Sequence, residues 1–311
     1  MAKSTLKIIT NQVMPCQMNL MTQEVIKFIS SRVSISSTFV DLTWFNQFDV
    51  SSITKFDTDV VFAVDVADPI YFQNEKVDWI NKVNKPVIFV GSPNSIFDIP
   101  CVPFLGWLRY RTQQFTDKNS YDKFFINFNR TPRDHRKIFY DNLKSHSLYS
   151  KGHTSFSDDK QLHQIGNPNL NNNIVELQTL AQIIDDKQLS SMFEFVTETD
   201  TKDNQIFLSE KTAKCISCET PMFLLGNPNS LSMLKSYYGF TDFSPDDSYD
   251  SINDYDLRNK KVLDIASHFF DYPMNSVFDN AKKNAYHLYN NFDQLHDKIA
   301  EKYLEKSLSY V

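Results

Sequence analysis

Residues 129–137 read NRTPRDHRK, placing Arg130, Arg133 and Arg136 three apart behind Asn129. Arginine forks match phosphate oxygens two at a time and stay charged at any working pH, so this spacing suits a phosphorylated ligand. The run FFINF at 124–128 reads as a strand, and a turn after a strand lies at the carboxyl edge, where open α/β sheets bind ligands. The other reading of the same residues is a solvated basic helix start, which the macrodipole disfavours. Further on, FLSEKTAKC sets Ser209 as a helix N-cap with Glu210 and Lys211 in the first turn. A carboxylate there can accept two ribose hydroxyls, and the ammonium can reach a phosphate, although Glu-Lys is also common on helix surfaces. With neither GxGxxG nor GxxxxGK[ST] in the chain, a phosphate has to be held by side chains and helix N-termini.

Other residues suggest other roles. Asp65 and Asp68 follow the apolar run DVVFAVDV and are the candidate bases for an acceptor hydroxyl, Asp65 first. The alternative for Asp65 is a carboxylate capping the turn at Pro69. Trp107, Arg109 and Arg111 form a basic, aromatic patch of the kind that tracks a nucleic-acid backbone. Asp57-Thr-Asp59 precedes a strand instead of ending one, so the expectation is chemistry without a metal. His135 and His153 read as solvent-exposed, and Cys215 and Cys218 as buried thiols, because a lone CxxC inside a helix has no second pair for zinc.

The elements that position these residues can be read from periodicity. Strands are expected at 6–10, 39–45, 59–66 and 86–91, with helices at 22–31 and 75–84. After 105–121 the pattern restarts: strand 124–128, helix 134–146, a polar loop at 149–173, strand 192–199, a helix from Ser209 and a strand at 222–225. Alternation of strands with helices implies parallel sheets. FQNEKVDWINKVNKPVIFVGSPNS at 72–95 returns 135 residues later as FLSEKTAKCISCETPMFLLGNPNS, with eight matches in twenty-four positions. The register extends upstream, DVVFAVD at 59–65 against EFVTETD at 194–200. Either two similar halves or two convergent βαβ units explain it, and both give the same fold. Near the C-terminus Phe278, Ala281, Ala285, Leu288, Phe292, Leu295 and Ile299 make one helical stripe. It reads as a helix packing across the domains, or as a coiled-coil seam.

At 311 residues, 41% of them hydrophobic, two globular domains are the natural division. The N-terminus lacks a signal-like apolar run and no stretch reaches the ~18 apolar residues of a membrane span, so a soluble, cytoplasmic protein without a membrane partner is expected. The net charge of -6 gives no general attraction to nucleic acid. The acidic run at 242–256 reads as a solvated loop entering a helix near Asp254.

Taken in order, FINFNRTPRDHRK, VTET, FLSEKTAKCISCETPMFLLGNPNSLSMLKSYYGFTDF and DDSYDSIND resemble the donor-binding half of glycosyltransferases with two Rossmann-like domains. The likeness is nearest to the fucosyltransferase-like group and its relatives from tailed phages, and it covers about 123–258. At Ala213 the chain departs from the family, which often has a bulky residue there. The resemblance implies an α/β fold of the GT-B type: an acceptor-side domain at 1–118, a nucleotide-sugar domain at 119–275, and a C-terminal helix at 276–311. Carried onto this sequence, it assigns the diphosphate to Arg130 or Arg133, and ribose and phosphate to Glu210 and Lys211. It implies transfer of a sugar such as glucose or arabinose from a uridine nucleotide, without metal. The expected acceptor is 5-hydroxymethylcytosine in double-stranded phage DNA. The alternatives are a fucosyl-type transferase acting on a glycan or lipopolysaccharide, and a non-catalytic nucleotide-sugar-binding protein.

Overall fold

The structure is a computed structural model that describes residues 6–9, 17–42, 53–65, 73–92, 100–109, 111, 121–129, 133–156, 186–201 and 206–311. Two compact units emerge: unit 1 comprises Met1–Tyr110 and Gln294–Val311, and unit 2 comprises Arg111–Asp293. The division thus falls between 110 and 111, where the sequence suggests 118 and 119. Both units are α/β with a parallel sheet, compatible with two Rossmann-like domains.

In unit 1 the order is β1 (Leu6–Ile9), α1 (Gln17–Ser30), β2 (Ser37–Asp41), β3 (Val60–Asp65), α2 (Gln73–Lys82), β4 (Val87–Gly91), β5 (Cys101–Pro103) and α3 (Gly106–Arg109). The strands lie side by side in chain order, each parallel to the next. β3 is buried at all six positions, which is why VVFAVD reads as one apolar run: a parallel strand is covered on both faces. Met21, Val25 and Ile29 of α1 pack on one face with Phe39 and Phe62, while Trp79 of α2 packs on the other with Val61 and Phe89.

Unit 2 contains β6 (Lys123–Phe128), α4 (Asp134–Ser145), β7 (His153–Ser155), α5 (Asp186–Leu189), β8 (Ser191–Thr197), α6 (Glu210–Ser217), β9 (Met222–Leu225), α7 (Ser230–Tyr238), α8 (Tyr255–Ser267) and α9 (Met274–Asn290). The parallel strand order is β7-β6-β8-β9. Phenylalanines fill the core: Phe193 meets Phe125, Phe195, Phe223 and Phe269 with centroids 4.8 to 6.0 Å apart. Each such side chain is worth about 1.5–3 kcal/mol on burial.

The echo in the sequence is an echo in structure. β3–α2–β4 and β8–α6–β9 are both parallel strand–helix–strand units, and β4 at 87–91 falls opposite 222–226 at the 135-residue offset. The shared glycine has a reason in each copy. A Cβ on Gly91 would stand 2.2 Å from the Asp65 carbonyl oxygen, and one on Gly226 would stand 3.3 Å from Cβ and Cγ of Glu198.

Several expectations need correcting. The stripe at 276–311 is two helices, α9 and then α10 (Phe292–Leu308), separated at Asn291. The break shifts the buried face by one residue, so His296, Ala300 and Leu304 go inside where Leu295 and Ile299 were expected. α9 belongs to unit 2, and all of α10 from Gln294 to unit 1. β7 lies inside the segment read as a polar loop, being three residues long and too short to show a period. The acidic run is only partly solvated: Asp247 accepts hydrogen bonds from Lys235 and the Ser244 amide, and Asp250 caps α7 through the Leu231 and Ser232 amides. Asp254 does begin a helix, capping α8 at the Leu257 amide. Among the described residues no helix is long and apolar enough to cross a membrane.

Candidate functional site

Unit 2 reverses direction in the middle of its sheet. β6 leads to β7 on one side, and the next described strand, β8, lies on its other side. The crevice outside the carboxyl ends of two such strands is where open α/β sheets take ligands. The described strands of unit 1 run one after another, without a reversal.

Polar side chains brace the reversal. Asn127 Nδ2 donates to the Phe195 carbonyl at 2.7 Å, Asn129 Nδ2 donates to Asn127 Oδ1 at 2.8 Å, and Thr197 Oγ1 donates to Asn129 Oδ1. Asn129 therefore joins the ends of β6 and β8 as an internal strut, buried to 2% exposure.

Above the strut, four nitrogen-bearing side chains converge on three consecutive carbonyls at the end of β8. Lys211 Nζ donates to Thr197 O. His135 Nε2 lies 2.9 Å from Glu198 O, and Arg136 Nε donates to the same oxygen at 3.2 Å. Arg133 Nη1 donates to Thr199 O at 2.5 Å. Arg133, at the N-cap position of α4, and Arg136, one turn later, both face this edge, as their threefold spacing predicts. Arg130 and Asp68 lie outside the described residues.

Burial, with like charge crowded beside it, lowers the pKa of two of these groups. Burial, then the Arg136 guanidinium, bring the Lys211 ammonium down to about 8, against the opposing pull of Glu198 and Glu210. Burial, aided by Arg136, Arg133 and Lys211, brings His135 down to about 4, so its ring is neutral at ordinary pH. A bound anion would relieve both.

The local acid is Glu198, which residue-type reasoning on the motifs passes over. It is 0% exposed, and its Oε1 accepts from the Ser209 amide at 2.9 Å and from Thr212 Oγ1 at 2.5 Å. Oε2 accepts from the Thr199 amide at 3.2 Å. Glu198 thus ties the start of α6 to the end of β8, and that tie sets where Lys211 and Glu210 sit. Ser209 is the N-cap, its hydroxyl accepting from the Lys211 amide at 3.3 Å. A signal for Glu198 does exist in the sequence: the repeat register sets it opposite Ala63, so one copy holds a buried acid where the other has a methyl group.

The sequence-chosen residues of unit 1 have internal partners. Asp65 is 0% exposed and accepts from Lys76 Nζ through Oδ2, while Oδ1 has no hydrogen-bond partner. Lys76 is the first-copy counterpart of Lys211. Trp107 packs against the core beside α1. Arg109 pairs with Asp297 and lies 3.8 Å from Glu24. In unit 2, Arg111 makes a two-pronged pair with Asp293 at 2.7 and 3.1 Å and covers the Tyr289 ring. These arginines hold the C-terminal helices, a role that spacing in sequence could not reveal because the partners lie more than 180 residues away. Asp59 accepts from the Ser36 amide at 3.1 Å just before β3, away from the carboxyl edge. Set against known proteins, the chain matches no family model and no curated sequence.

Proposed function

We propose that the protein is a nucleotide-sugar-dependent glycosyltransferase of the GT-B type that holds the donor diphosphate at the carboxyl edge of β6 and β8. The observation that carries the reading is the convergence of Arg133, His135, Arg136 and Lys211 on carbonyls 197–199, at the point where the strand order reverses. The chemistry fits those groups. The acceptor oxygen bonds to the anomeric carbon as the bond from that carbon to the phosphate oxygen breaks, so negative charge grows on the departing nucleoside diphosphate. Arg133, Arg136 and Lys211 stabilise that charge, and Glu210 takes the ribose hydroxyls. The proton of the acceptor hydroxyl passes to a base; of the two that the sequence offers, Asp65 and Asp68, Asp65 is 0% exposed and held by Lys76.

The acceptor is proposed to be hydroxymethylated cytosine in DNA, following the resemblance. Glycan transfer is the second reading, favoured by one observation: Arg109 and Arg111, expected to follow the DNA backbone, are already paired with Asp297 and Asp293. Incubating the protein with hydroxymethylated DNA and a panel of uridine and guanosine nucleotide sugars, then weighing the nucleosides by mass spectrometry, is expected to show cytosine heavier by one hexose or pentose. Unmodified DNA together with a sugar-extended glycan acceptor overturns the DNA assignment. Absence of transfer to any acceptor overturns the enzyme reading.

A further inference from the structure

We propose that Tyr255, Arg258 and Asn259, on the first turns of α8, form a second oxyanion subsite that takes the outer phosphate of a nucleoside diphosphate. The proposal rests on the diphosphate reading above. Arg258 is 1% exposed, and its Nε and Nη2 have no hydrogen-bond partner. Asn259 is 0% exposed, and neither its amide nitrogen, its amide oxygen nor the buried Tyr255 hydroxyl makes a well-aligned hydrogen bond, although Tyr255 and Asn259 lie close enough to interact with each other. Folded proteins pair the great majority of such atoms, so five without a well-aligned partner on three residues of one helical turn, the two Arg258 nitrogens above all, ask for a partner from outside the chain.

The arrangement of the donors selects the partner. Nε and Nη2 lie on one edge of the guanidinium, and their two parallel N–H groups match two oxygens on one phosphorus. Asp250, the carboxylate that attracts Arg258, is committed: its two oxygens accept from the Leu231 and Ser232 amides at 3.1 and 2.8 Å. The Asn259 amide adds one donor and one acceptor, and Tyr255 adds a hydroxyl.

Tyr255 also fixes the subsite's address. Its ring meets His135 edge-on at 5.8 Å, and the Arg258 Cζ lies 5.4 Å from the ring centre. The charge of Arg136 reaches the same ring. Arg258 thus lies across one tyrosine ring from the cluster on 197–199, and the proposal sets one phosphate on each side of that ring. The atoms are closed to solvent, so entry requires the first turns of α8 to part from α4, where Asn142 Nδ2 donates to Asp256 Oδ1 at 2.9 Å.

The test is calorimetric titration of the full chain with UMP, UDP and inorganic pyrophosphate, in the wild type, Arg258→Lys and Asn259→Ala. Arg258→Lys keeps the charge and removes the fork. It is expected to weaken UDP and pyrophosphate at least tenfold while leaving UMP within about twofold, and Asn259→Ala should narrow the UDP-over-UMP preference in the same sense. A wild type that binds UDP, with both variants binding it equally well, overturns the subsite and leaves ordered water as its content. If Arg258→Lys does not fold, an unchanged UDP-to-UMP ratio in Asn259→Ala overturns it. A wild type that binds none of the three overturns the diphosphate reading itself.

Discussion

Replacing Lys76 with Met is expected to destabilise unit 1 by about 3–5 kcal/mol, because it leaves the Asp65 carboxylate buried without its counter-charge. Both members of the pair are almost wholly enclosed, at 1% and 0% exposure. That loss would consume much of the roughly 5–15 kcal/mol that holds a domain together. The double variant Lys76→Met, Asp65→Leu should recover a large part of it, since a buried ion pair replaced by apolar groups of similar size is often neutral. Urea denaturation followed by tryptophan fluorescence reads this directly: Trp44, Trp79 and Trp107 all precede residue 110, so the signal belongs to unit 1. A single variant as stable as the wild type, or a double variant no better than the single, would show that the buried pair is not what Asp65 depends on.

In the second copy the equivalent lysine is proposed to meet a phosphate, and its charge is then expected to be visible in binding. Burial holds Lys211 down to about 8, so below that pH it is an ammonium, the form that the proposed diphosphate would need. Binding an anion stabilises the charged form and raises the pKa of the complex. Above pH 8 the free protein must therefore take up a proton in order to bind, and affinity falls by up to about tenfold per pH unit until the pKa of the complex is reached. Below pH 8 the affinity is flat with respect to this group. Arg133 and Arg136 oppose its charge while Glu198 and Glu210 support it, and His135 is neutral throughout this window. Lys211→Met should lower affinity by about 1.5–3 kcal/mol, or roughly 10- to 150-fold, and abolish the fall above pH 8. Lys211→Arg should keep the affinity and lose the fall. Persistence of the fall in Lys211→Met assigns it to another group and removes the lysine from the site.

How far these features are legible in sequence depends on whether their cause is local. The β8–α6–β9 unit is legible because its strands are apolar runs, its helix opens on Ser209, and its twin supplies the register. Arg133 and Arg136 are legible because three-residue spacing along a helix start puts them on one side. Glu198 is not legible from residue type, only from the repeat register that sets it opposite Ala63, since an acid just past a strand looks solvent-facing until the amides of Thr199 and Ser209 fold against it. The tasks of Arg109 and Arg111 are not legible either, because the carboxylates that claim them arrive from helices at the other end of the chain. The break at Asn291 escapes periodicity for a different reason: it moves the buried face by a single residue, and both registers are rich in apolar side chains.

The central claim is that the reversal between β6 and β8 holds a nucleotide by its phosphates. It is tested most directly by titrating the wild type and Arg136→Gln with a nucleoside diphosphate and with the bare nucleoside, in the uridine and guanosine series. One diphosphate is expected to bind the wild type at least a hundredfold tighter than its nucleoside, and Arg136→Gln is expected to remove most of that difference while the variant remains folded. Equal binding of diphosphate and nucleoside, or a preference for the diphosphate that Arg136→Gln leaves intact, would contradict it.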